Sequence, residues 1–391
     1  RPTWVPEPDF AVGHHFFDAD LPAPGGRAGL EALVSRLVSE PLSFVRSPWT
    51  VHVVHGVEGD DGATGSAAVI RLHHCIGDGI ALMHVVLNAA DESFDVSSLP
   101  ASRPARARRP PRERALATLR GALGEARDLL TSPAHLGERL LAAGSGAKAA
   151  VGLLAMAPDS ETVLKGDASA DKRAAWTRPF PVDRVRAVGT ATGAKINDVL
   201  LAAAAGSIRA YLEDVGEPVE DVDVRAAVPF NVRPLDRAGE LGNSFGLVFL
   251  LLPVSVADPA ERLAELKRRM DALKGSAEPG VVFLILQSIG RAPRWLHTQV
   301  VDMFSRKASV VMTNVPGPTS EIHMGGGAVE TLMFWVPQAG DIGLGISILS
   351  YNGRVRVGVC ADAAYVPEPG RLVAAFEAEF EALAARFAPE A

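Results

Sequence analysis

The stretch His73-His74-Cys75-Ile76-Gly77-Asp78-Gly79 is the most specific feature of the 391-residue chain. It follows the β-rich run 67–72, and the apolar residues after it recur at helical spacing, so it lies where a predicted strand gives way to a predicted helix. Loops at such strand ends commonly carry chemistry. A correctly oriented imidazole can take a proton from a hydroxyl or thiol at neutral pH. We therefore expect one of the two histidines to act as a general base.

The neighbouring residues indicate how the histidine pair is oriented. Asp78 lies four residues after His74, and Gly77 and Gly79 permit a tight turn, so one imidazole can project into a cleft while the other is used within the loop. Two other interpretations compete, namely two structural side chains at a strand end and a metal site made of His73, His74 and Asp78. Adjacent residues at a strand end point to opposite sides, which disfavours shared ligation. We expect no metal site.

Composition limits the class of protein. Apolar residues make up 48% and charged residues 22% of the chain, as in a globular protein, and at roughly 100 to 200 residues per domain its length predicts two domains. The formal charge of -7 argues against nucleic-acid binding. Two cysteines exclude a disulfide framework and fit a reducing compartment. The sequence has no nucleophile elbow, phosphate-binding loop or dinucleotide fingerprint, so hydrolase, NTPase and dinucleotide-dependent functions lose support.

Hydrophobic periodicity predicts helices and strands on both sides of a linker. The segment 101–114 mixes arginine with proline, which is typical of a linker or, alternatively, of a contact with anionic lipid or phosphate. Asn197 and Asp198 are expected to cap the helix 199–212, and the apolar strand 245–254 is expected to be buried on both faces. The other predicted helices cover 30–38, two stretches within 116–156, 258–273 and 371–387; the other predicted strands cover 51–55, 67–72, 222–229, 308–312, 342–350 and 354–359, with a hairpin turn at Asn352-Gly353.

Further motifs accompany the histidine pair along the chain. They are Trp4-Val5, Pro41-Leu42, Pro48-Trp49, Asn197-Asp198-Val199-Leu200, Val228-Pro229-Phe230-Asn231-Val232-Arg233-Pro234, Leu241-Gly242-Asn243-Ser244-Phe245-Gly246 and Thr313-Asn314-Val315-Pro316-Gly317-Pro318. On these motifs the chain resembles the bacterial wax ester synthase/diacylglycerol acyltransferases, a group within the HHxxxDG acyltransferase superfamily. The resemblance covers essentially the whole chain. One departure is Ser47-Pro48-Trp49, where the family usually has Pro-Leu-Trp.

The resemblance implies an α/β fold of two chloramphenicol-acetyltransferase-like domains, each a mixed sheet flanked by helices, with the active-site tunnel at their interface. It implies an N-terminal domain over residues 1–100 that lacks its first segment, a linker and helical crossover over 101–175, and a C-terminal domain over 176–391. Acyl-CoA is expected to enter the tunnel from one side and the acceptor from the other.

The activity that the resemblance implies is direct transfer of a long-chain fatty acyl group from acyl-CoA to diacylglycerol or a long-chain alcohol, without an acyl-enzyme. No cofactor is expected, since acyl-CoA is a co-substrate. His74 is the expected general base, Asp78 a structural partner paired with an arginine such as Arg233, Gly79 the tight turn, and Asn197 a supporting group near the thioester. The expected catalytic residues are His74, His73, Asp78, Gly79 and Asn197, and the expected substrate-binding residues are Asn231, Arg233, Thr313 and Asn314.

The sequence predicts peripheral membrane contact and leaves two alternative functions open. The longest apolar runs, such as 245–254 and 280–286, fall short of the roughly 20 residues that span a bilayer. We therefore expect a cytoplasmic bacterial protein that docks peripherally on the inner membrane or on lipid droplets. One alternative is a condensation-type or polyketide-associated acyltransferase that uses carrier-bound substrates. The other is an inactive homologue that binds lipid droplets, which is disfavoured because a pure binder needs no positioned base.

Overall fold

The computed structural model describes residues 5–21, 25–60, 62–91, 152–153, 155–231, 242–243, 245–274, 282 and 294–389. These residues form a three-stranded sheet in the first part of the chain, and a seven-stranded mixed sheet and a two-stranded ribbon in the second part. Helices flank both larger sheets. The predicted α/β class is therefore confirmed.

The first sheet ends at the histidine pair. Its elements are a short 3-10 helix (Val12–His14), β1 (Phe16–Asp20), α1 (Gly26–Ser39), β2 (Trp49–Glu58), β3 (Thr64–Leu72) and α2 (Gly79–Leu87). β1 runs parallel to β2, and α1 supplies the crossover that a parallel pair requires. β2 and β3 contain the predicted strands 51–55 and 67–72 and form an antiparallel hairpin, in which Trp49 pairs with Leu72. The chain therefore leaves β3 at His73, beside the start of β2.

The second sheet has the spatial order β4-β12-β11-β8-β6-β7, with β5 beside β12. Its strands are β4 (Lys172–Trp176), β5 (Phe180–Pro181), β6 (Val224–Asn231), β7 (Phe245–Leu252), β8 (Val310–Pro316), β11 (Leu344–Tyr351) and β12 (Arg354–Asp362), and the ribbon is β9 (His323–Met324) with β10 (Gly327–Ala328). β8 is parallel to β6 and β11. The predicted turn at Asn352-Gly353 is confirmed, since both residues have positive φ (45° and 72°), as a two-residue hairpin turn demands.

The main hydrophobic core lies between one face of the second sheet and its helices. These helices are α3 (Val182–Thr192), α4 (Ile196–Asp214), α5 (Pro259–Lys274) and α7 (Pro369–Phe387), while α6 (Arg294–Ser305) lies outside this core. Side chains alternate between the two faces of the sheet along β8. Val310 and Met312 pack in this core, whereas Val311 belongs to a separate apolar cluster. The opposite face of the sheet is therefore turned away from these helices.

Two local predictions were wrong. Asn197 and Asp198 do not precede α4, which begins at Ile196 with Lys195 as its N-cap. The Asp198 carboxylate lies in the first turn and accepts a hydrogen bond from the Lys195 backbone N–H (3.0 Å), as in a capping box. β7 is the last strand of its sheet, and Leu251 is exposed, so this strand is not buried on both faces. A continuous apolar run does not distinguish a central strand from an edge strand.

Helix α1 joins the two parts of the chain by covering the edge strand β4. Ser39 Oγ accepts a hydrogen bond from the Lys172 N–H (2.8 Å), and Ser35 Oγ accepts one from the Ala174 N–H (2.9 Å). These hydroxyl groups satisfy N–H groups that have no neighbouring strand on this side. Trp176 of β4 packs in one apolar cluster with residues of α1. The crossover helix of the first sheet is thus docked on the second sheet.

Several predictions concern residues outside this description. The predicted linker at 101–114, and the predicted helices between 116 and 151, lie outside the described residues. The domain boundaries at residues 100 and 175 stay predictions. Among the helices that the structure describes, none is both long enough and apolar enough to cross a membrane.

Asp362, the last residue of β12, is expected to stabilise the second sheet through its buried carboxylate. Its buried carboxylate accepts hydrogen bonds from Lys172 Nζ (2.8 Å) and from the N–H and Oγ of Ser169 (2.6 and 2.7 Å). Burial alone raises the pKa of Asp362, but these donors outweigh it and lower the pKa from 3.8 to about 2. We expect D362N to lower the free energy of unfolding by about 2 kcal/mol at neutral pH, since one pKa unit corresponds to about 1.4 kcal/mol.

The loss should also depend on pH in one direction. A depressed carboxyl pKa contributes stability above the unfolded value, so the difference between native protein and D362N should shrink as the pH falls from about 4 towards about 2. Urea unfolding at a series of pH values measures it. The control is D183N, because Asp183 is exposed and paired with Arg186, and its loss should stay within about 0.5 kcal/mol. Equal losses in both variants at neutral pH contradict the role given to Asp362.

Candidate active site

The loop after β3 is shaped by backbone hydrogen bonds. The His73 N–H donates to the Pro48 carbonyl (3.0 Å), and the Ile76 N–H donates to the His73 carbonyl (3.0 Å), so the chain turns directly after the strand. Asp78 ends the turn as the N-cap of α2, and its buried carboxylate accepts a hydrogen bond from the Ala81 N–H (3.0 Å). Such a cap satisfies one of the N–H groups that a helix start leaves unpaired. Asp78 therefore fixes the loop from its far end.

The two histidines have different partners. His73 is exposed, its Nδ1 accepts a hydrogen bond from the Cys75 N–H (3.1 Å), and its ring packs edge-to-face on Phe44 (4.8 Å between centroids). His74 is half-buried, and its Nδ1 lies 3.2 Å from Asn243 Oδ1. Asn243 Nδ2 donates in turn to the backbone carbonyl of His74 (2.9 Å). His73 is thus bonded within its own loop, and His74 to a residue from the other part of the chain.

Asn243 is placed by a short backbone bridge. Gly242 donates its N–H to the Ile76 carbonyl (3.0 Å), and its own carbonyl accepts a hydrogen bond from the Asp78 N–H (3.3 Å). The φ of Gly242 is 106°, a conformation that residues with a side chain rarely adopt. The loop that carries His74 therefore lies directly beside the segment that carries Asn243.

The two glycines of the motif differ in how tightly they are enclosed. A Cβ at Gly77 would lie 2.9 Å from the Ala81 Cβ, and Gly77 also forms an isolated parallel bridge with Gly242. A Cβ at Gly79 would meet no atom closer than Val315 Cγ2 at 3.8 Å, an ordinary contact. Gly79 was expected to form the tight turn, but it is the first residue of α2. The steric need for glycine therefore falls on Gly77.

Asn197 and Asn314 form a second polar pair, between helix α4 and strand β8. Asn314 Nδ2 donates a hydrogen bond to Asn197 Oδ1 (3.0 Å). Asn197 lies in the first turn of α4, and Asn314 follows Thr313 along β8. Because the Asn197 oxygen faces Asn314, its amide presents the donor Nδ2 on the other side.

One cavity of about 3540 Å³ is bordered both by His74 and by the Asn197–Asn314 pair. Its walls come from α1, β2 and β3 on one side and from β6, β7, β8 and α4 on the other, and most of the wall is apolar. Within the described part of the chain, no group of three or more His, Cys, Asp or Glu side chains is arranged to hold a metal ion. The predicted site residues that border the cavity are His73, His74, Asp78, Gly79, Asn197, Thr313 and Asn314.

Asn231 and Asn243 lie on either side of the segment 232–241, which includes Arg233. The backbone of Asn231 ends β6, where its Cα pairs with that of Phe245. Arg233 lies outside the described residues, so its pairing with Asp78 stays a prediction. Asn243 was quoted within a motif but given no role from the sequence. The available signal was an amide residue next to a glycine just before an apolar strand, which does not indicate a histidine partner.

Comparison with known proteins identifies the family. Residues 1–200 match the wax ester synthase/diacylglycerol acyltransferase catalytic domain, and residues 241–384 match the C-terminal domain of the same family. The probable diacylglycerol O-acyltransferase tgs1 of Mycobacterium tuberculosis is 28% identical over 382 residues, which is 96% of this chain and 80% of the relative. A putative diacylglycerol O-acyltransferase of the same organism is 29% identical over 414 residues, covering 98% of this chain and 83% of the relative.

A solved structure agrees with this result. The wax ester synthase/diacylglycerol acyltransferase from Marinobacter aquaeolei VT8 aligns with a TM-score of 0.66 at 21% identity, over 98% of this chain and 82% of that one. The shared fold is the two-domain CoA-acyltransferase-like fold, and with the family matches it defines the protein as an O-acyltransferase. The chain belongs to the wax ester synthase/diacylglycerol acyltransferase family.

The two glycines of the motif give a matched test of the loop. We expect G77A to lower the free energy of unfolding by about 1 to 3 kcal/mol, the usual cost of overpacking, because the new methyl group would clash with Ala81. G79A should be neutral or stabilising by up to about 1 kcal/mol, because alanine is the better helix former and space is present. Urea unfolding of both variants measures this. A larger loss in G79A than in G77A is the contrary outcome.

Proposed function

We propose that the protein transfers a long-chain fatty acyl group from acyl-CoA to the hydroxyl group of diacylglycerol, or of a long-chain alcohol, with His74 as general base. The observation that carries the proposal is the position of His74 on the wall of a large apolar cavity, with its ring held by Asn243. The names of the relatives, diacylglycerol O-acyltransferases, favour diacylglycerol as the acceptor.

The proposed reaction needs a single base and no cofactor. His74 removes the proton of the acceptor hydroxyl while the oxygen attacks the carbonyl carbon of the thioester. The tetrahedral intermediate then collapses as the C–S bond breaks, and the imidazolium returns the proton to the departing thiolate, which gives free CoA. The new C–O bond is the ester bond of the product. No acyl-enzyme is needed, because the thioester is already activated.

The other polar groups of the cavity have proposed supporting roles. Asn197, with its oxygen engaged by Asn314, offers an amide donor to the oxyanion of the intermediate, and donors held in place before reaction are effective at this task. Asp78 keeps the loop in place by capping α2. The residues proposed to contact substrates are Thr313 and Asn314, together with Asn231 and Arg233 on the strength of the family resemblance.

The apolar wall of the cavity supports a lipid reaction. Residues such as Val53, Val69 and Ile348 line it, so an acyl chain and a lipid acceptor can bind without exposing apolar surface. Alignment of two bound substrates can lower the activation free energy by up to about 7 to 11 kcal/mol. A cavity filled by lipid also excludes water, which limits hydrolysis of the thioester.

Adjacent histidines provide a matched test of the base. We expect H74A to lower kcat by about 100- to 10,000-fold, the range typical for loss of a general base. H73A should retain most activity, because its bond to Cys75 lies within the loop and its ring is exposed. Thiol release from palmitoyl-CoA, measured with diacylglycerol and with hexadecanol, gives both rates and ranks the acceptors. Full activity in H74A contradicts the proposed role of this residue.

The same assay separates the alternative functions. A condensation-type enzyme should use an acyl group on a phosphopantetheine carrier and leave palmitoyl-CoA unused. An inactive lipid-binding homologue should bind palmitoyl-CoA and release no thiol, with native protein and H74A alike. Acceptor-dependent release from palmitoyl-CoA contradicts both.

We also propose that the protein docks on a lipid surface through its N-terminal part. Seven of the eleven exposed large apolar side chains in the described residues lie between residues 5 and 45. Phe44 and Val45 are 67% and 93% exposed, and Phe44 packs on His73, so the patch adjoins the catalytic loop. We define the N-terminal apolar surface as Phe44 and Val45. The other five exposed side chains are Val5, Phe10, Val12, Phe16 and Phe17, of which Phe16 and Phe17 point to opposite faces of the first sheet. Exposed apolar patches of this kind mark interaction surfaces.

A double variant tests the N-terminal apolar surface. F44S/V45S should bind vesicles of phosphatidylcholine with 10% diacylglycerol at least about tenfold more weakly, because burial of Phe or Val in an apolar phase is worth about 1.5 to 3 kcal/mol each. The control is V215S, since Val215 is a 42% exposed side chain outside the patch. Co-sedimentation measures binding, and added salt should change it little. Equal binding by both variants contradicts the docking proposal.

A further inference from the structure

The contact between His74 and Asn243 determines which ring nitrogen carries the proton. A backbone carbonyl oxygen only accepts hydrogen bonds, so the Asn243 atom beside the His74 carbonyl, at 2.9 Å, is the NH₂ donor. The other end of the same amide is then the oxygen Oδ1, which lies 3.2 Å from His74 Nδ1. An amide oxygen also only accepts, so Nδ1 is the donor. The neutral ring therefore carries its proton on Nδ1 and a lone pair on Nε2.

The neighbouring histidine has the opposite arrangement. Nδ1 of His73 accepts a hydrogen bond from the Cys75 backbone N–H (3.1 Å), so this nitrogen carries the lone pair and Nε2 carries the proton in the neutral ring. Neutral histidine in water favours the Nε2–H form. The Nδ1–H form of His74 is thus the one that needs a specific partner, and Asn243 is that partner.

The backbone around Asn243 holds its amide in place from both sides. Gly242 is bonded to the loop of His74 through the Ile76 carbonyl (3.0 Å), and β7 begins two residues after Asn243. Phe245, the first residue of β7, packs edge-to-face on the His74 ring (6.2 Å between centroids). The ring is therefore fixed by a hydrogen bond at one edge and by an aromatic neighbour.

We propose that Asn243 is a positioning residue that holds His74 in the Nδ1–H tautomer and thereby makes Nε2 the catalytic base. The inference rests on the proposed function for the reaction itself, but the tautomer is a property of the protein without substrate. Asn243 contacts His74 and acts through it. A residue that precedes β7 thus selects the reactive atom of a histidine that follows β3, an assignment that requires the two parts of the chain to be docked.

Nuclear magnetic resonance of the full chain labelled with ¹⁵N-histidine tests the tautomer of His74 without an activity measurement. Long-range ¹H–¹⁵N spectra, recorded above about pH 8 where imidazole is neutral, distinguish the two ring forms, and the H74A and H73A variants identify the two signals by their loss. We expect His74 as Nδ1–H and His73 as Nε2–H. In N243A the His74 signal should move to the Nε2–H form. Native His74 in the Nε2–H form overturns the proposal.

Kinetics supply the second readout. N243A should lower kcat for acyl transfer by about 10- to 100-fold, the range found when the partner that orients a metal-bound histidine is removed, while KM for acyl-CoA changes little. N243D keeps an acceptor at Nδ1, loses the hydrogen bond to the His74 carbonyl, and adds a negative charge, which favours the imidazolium. Its pH–rate profile should therefore recover part of kcat and shift towards higher pH. Titratable groups on the same loop are His73, Cys75 and Asp78, and all are retained in these variants.

A surface pair provides the matched control. Asn88 Nδ2 lies 2.7 Å from His84 Nδ1 on the exposed side of α2, so N88A removes an asparagine–histidine contact away from the reacting groups. It should leave kcat, the pH profile and the His74 signal unchanged. The two proposals also fail separately. Full activity in H74A removes the proposed base and leaves the tautomer result standing, whereas loss of activity in H74A with a native signal and native kcat in N243A removes only the role of Asn243.

Discussion

The backbone bridge between residues 76–78 and Gly242 is the interaction on which the site depends. Two hydrogen bonds, from the Gly242 N–H to Ile76 and from the Asp78 N–H to Gly242, join the loop after β3 to the segment before β7. His74 and Asn243 lie within two residues of this bridge. Their contact therefore follows from paired backbone, which brings the His74 ring to the Asn243 amide.

Other contacts keep the two parts of the chain in the position that the bridge requires. Asp60, in the loop between β2 and β3, pairs with Arg356 of β12, which also donates to the Thr177 carbonyl (3.2 Å). Burial lowers the pKa of Arg356 to about 10, so it stays charged at neutral pH. Arg356 is buried whereas Asp60 is exposed, so desolvation of the guanidinium offsets much of the energy of the pair, and its value here lies in fixing the relative position of the two sheets. The serines of α1 on β4 act in the same way.

The sequence was sufficient for most of the fold because the decisive signals are local. Alternating and helical periodicities predicted strands β2, β3, β6, β7, β8, β11 and β12 and helices α4, α5 and α7, and the Asn352-Gly353 pair predicted the turn between β11 and β12. They did not predict β1, β4, α3 or α6. The edge position of β7 depends on which strands become its neighbours, so the sequence of β7 alone does not predict it. Likewise, Asn243 lies 169 positions from His74, and a single sequence carries no signal for a contact of this range.

The choice of an amide beside His74, rather than a carboxylate, fits transfer from a thioester. In the proposed reaction, the imidazolium returns its proton to a departing thiolate, whose conjugate acid has a pKa of about 8.5 in a free cysteine. A carboxylate beside Nδ1 would stabilise the imidazolium and weaken it as an acid at that step. A neutral amide orients the ring without adding this charge. Because the thioester of the proposed substrate is already activated, the proposed base needs correct placement more than added strength, and a hydrogen-bonded amide on a fixed backbone supplies that placement.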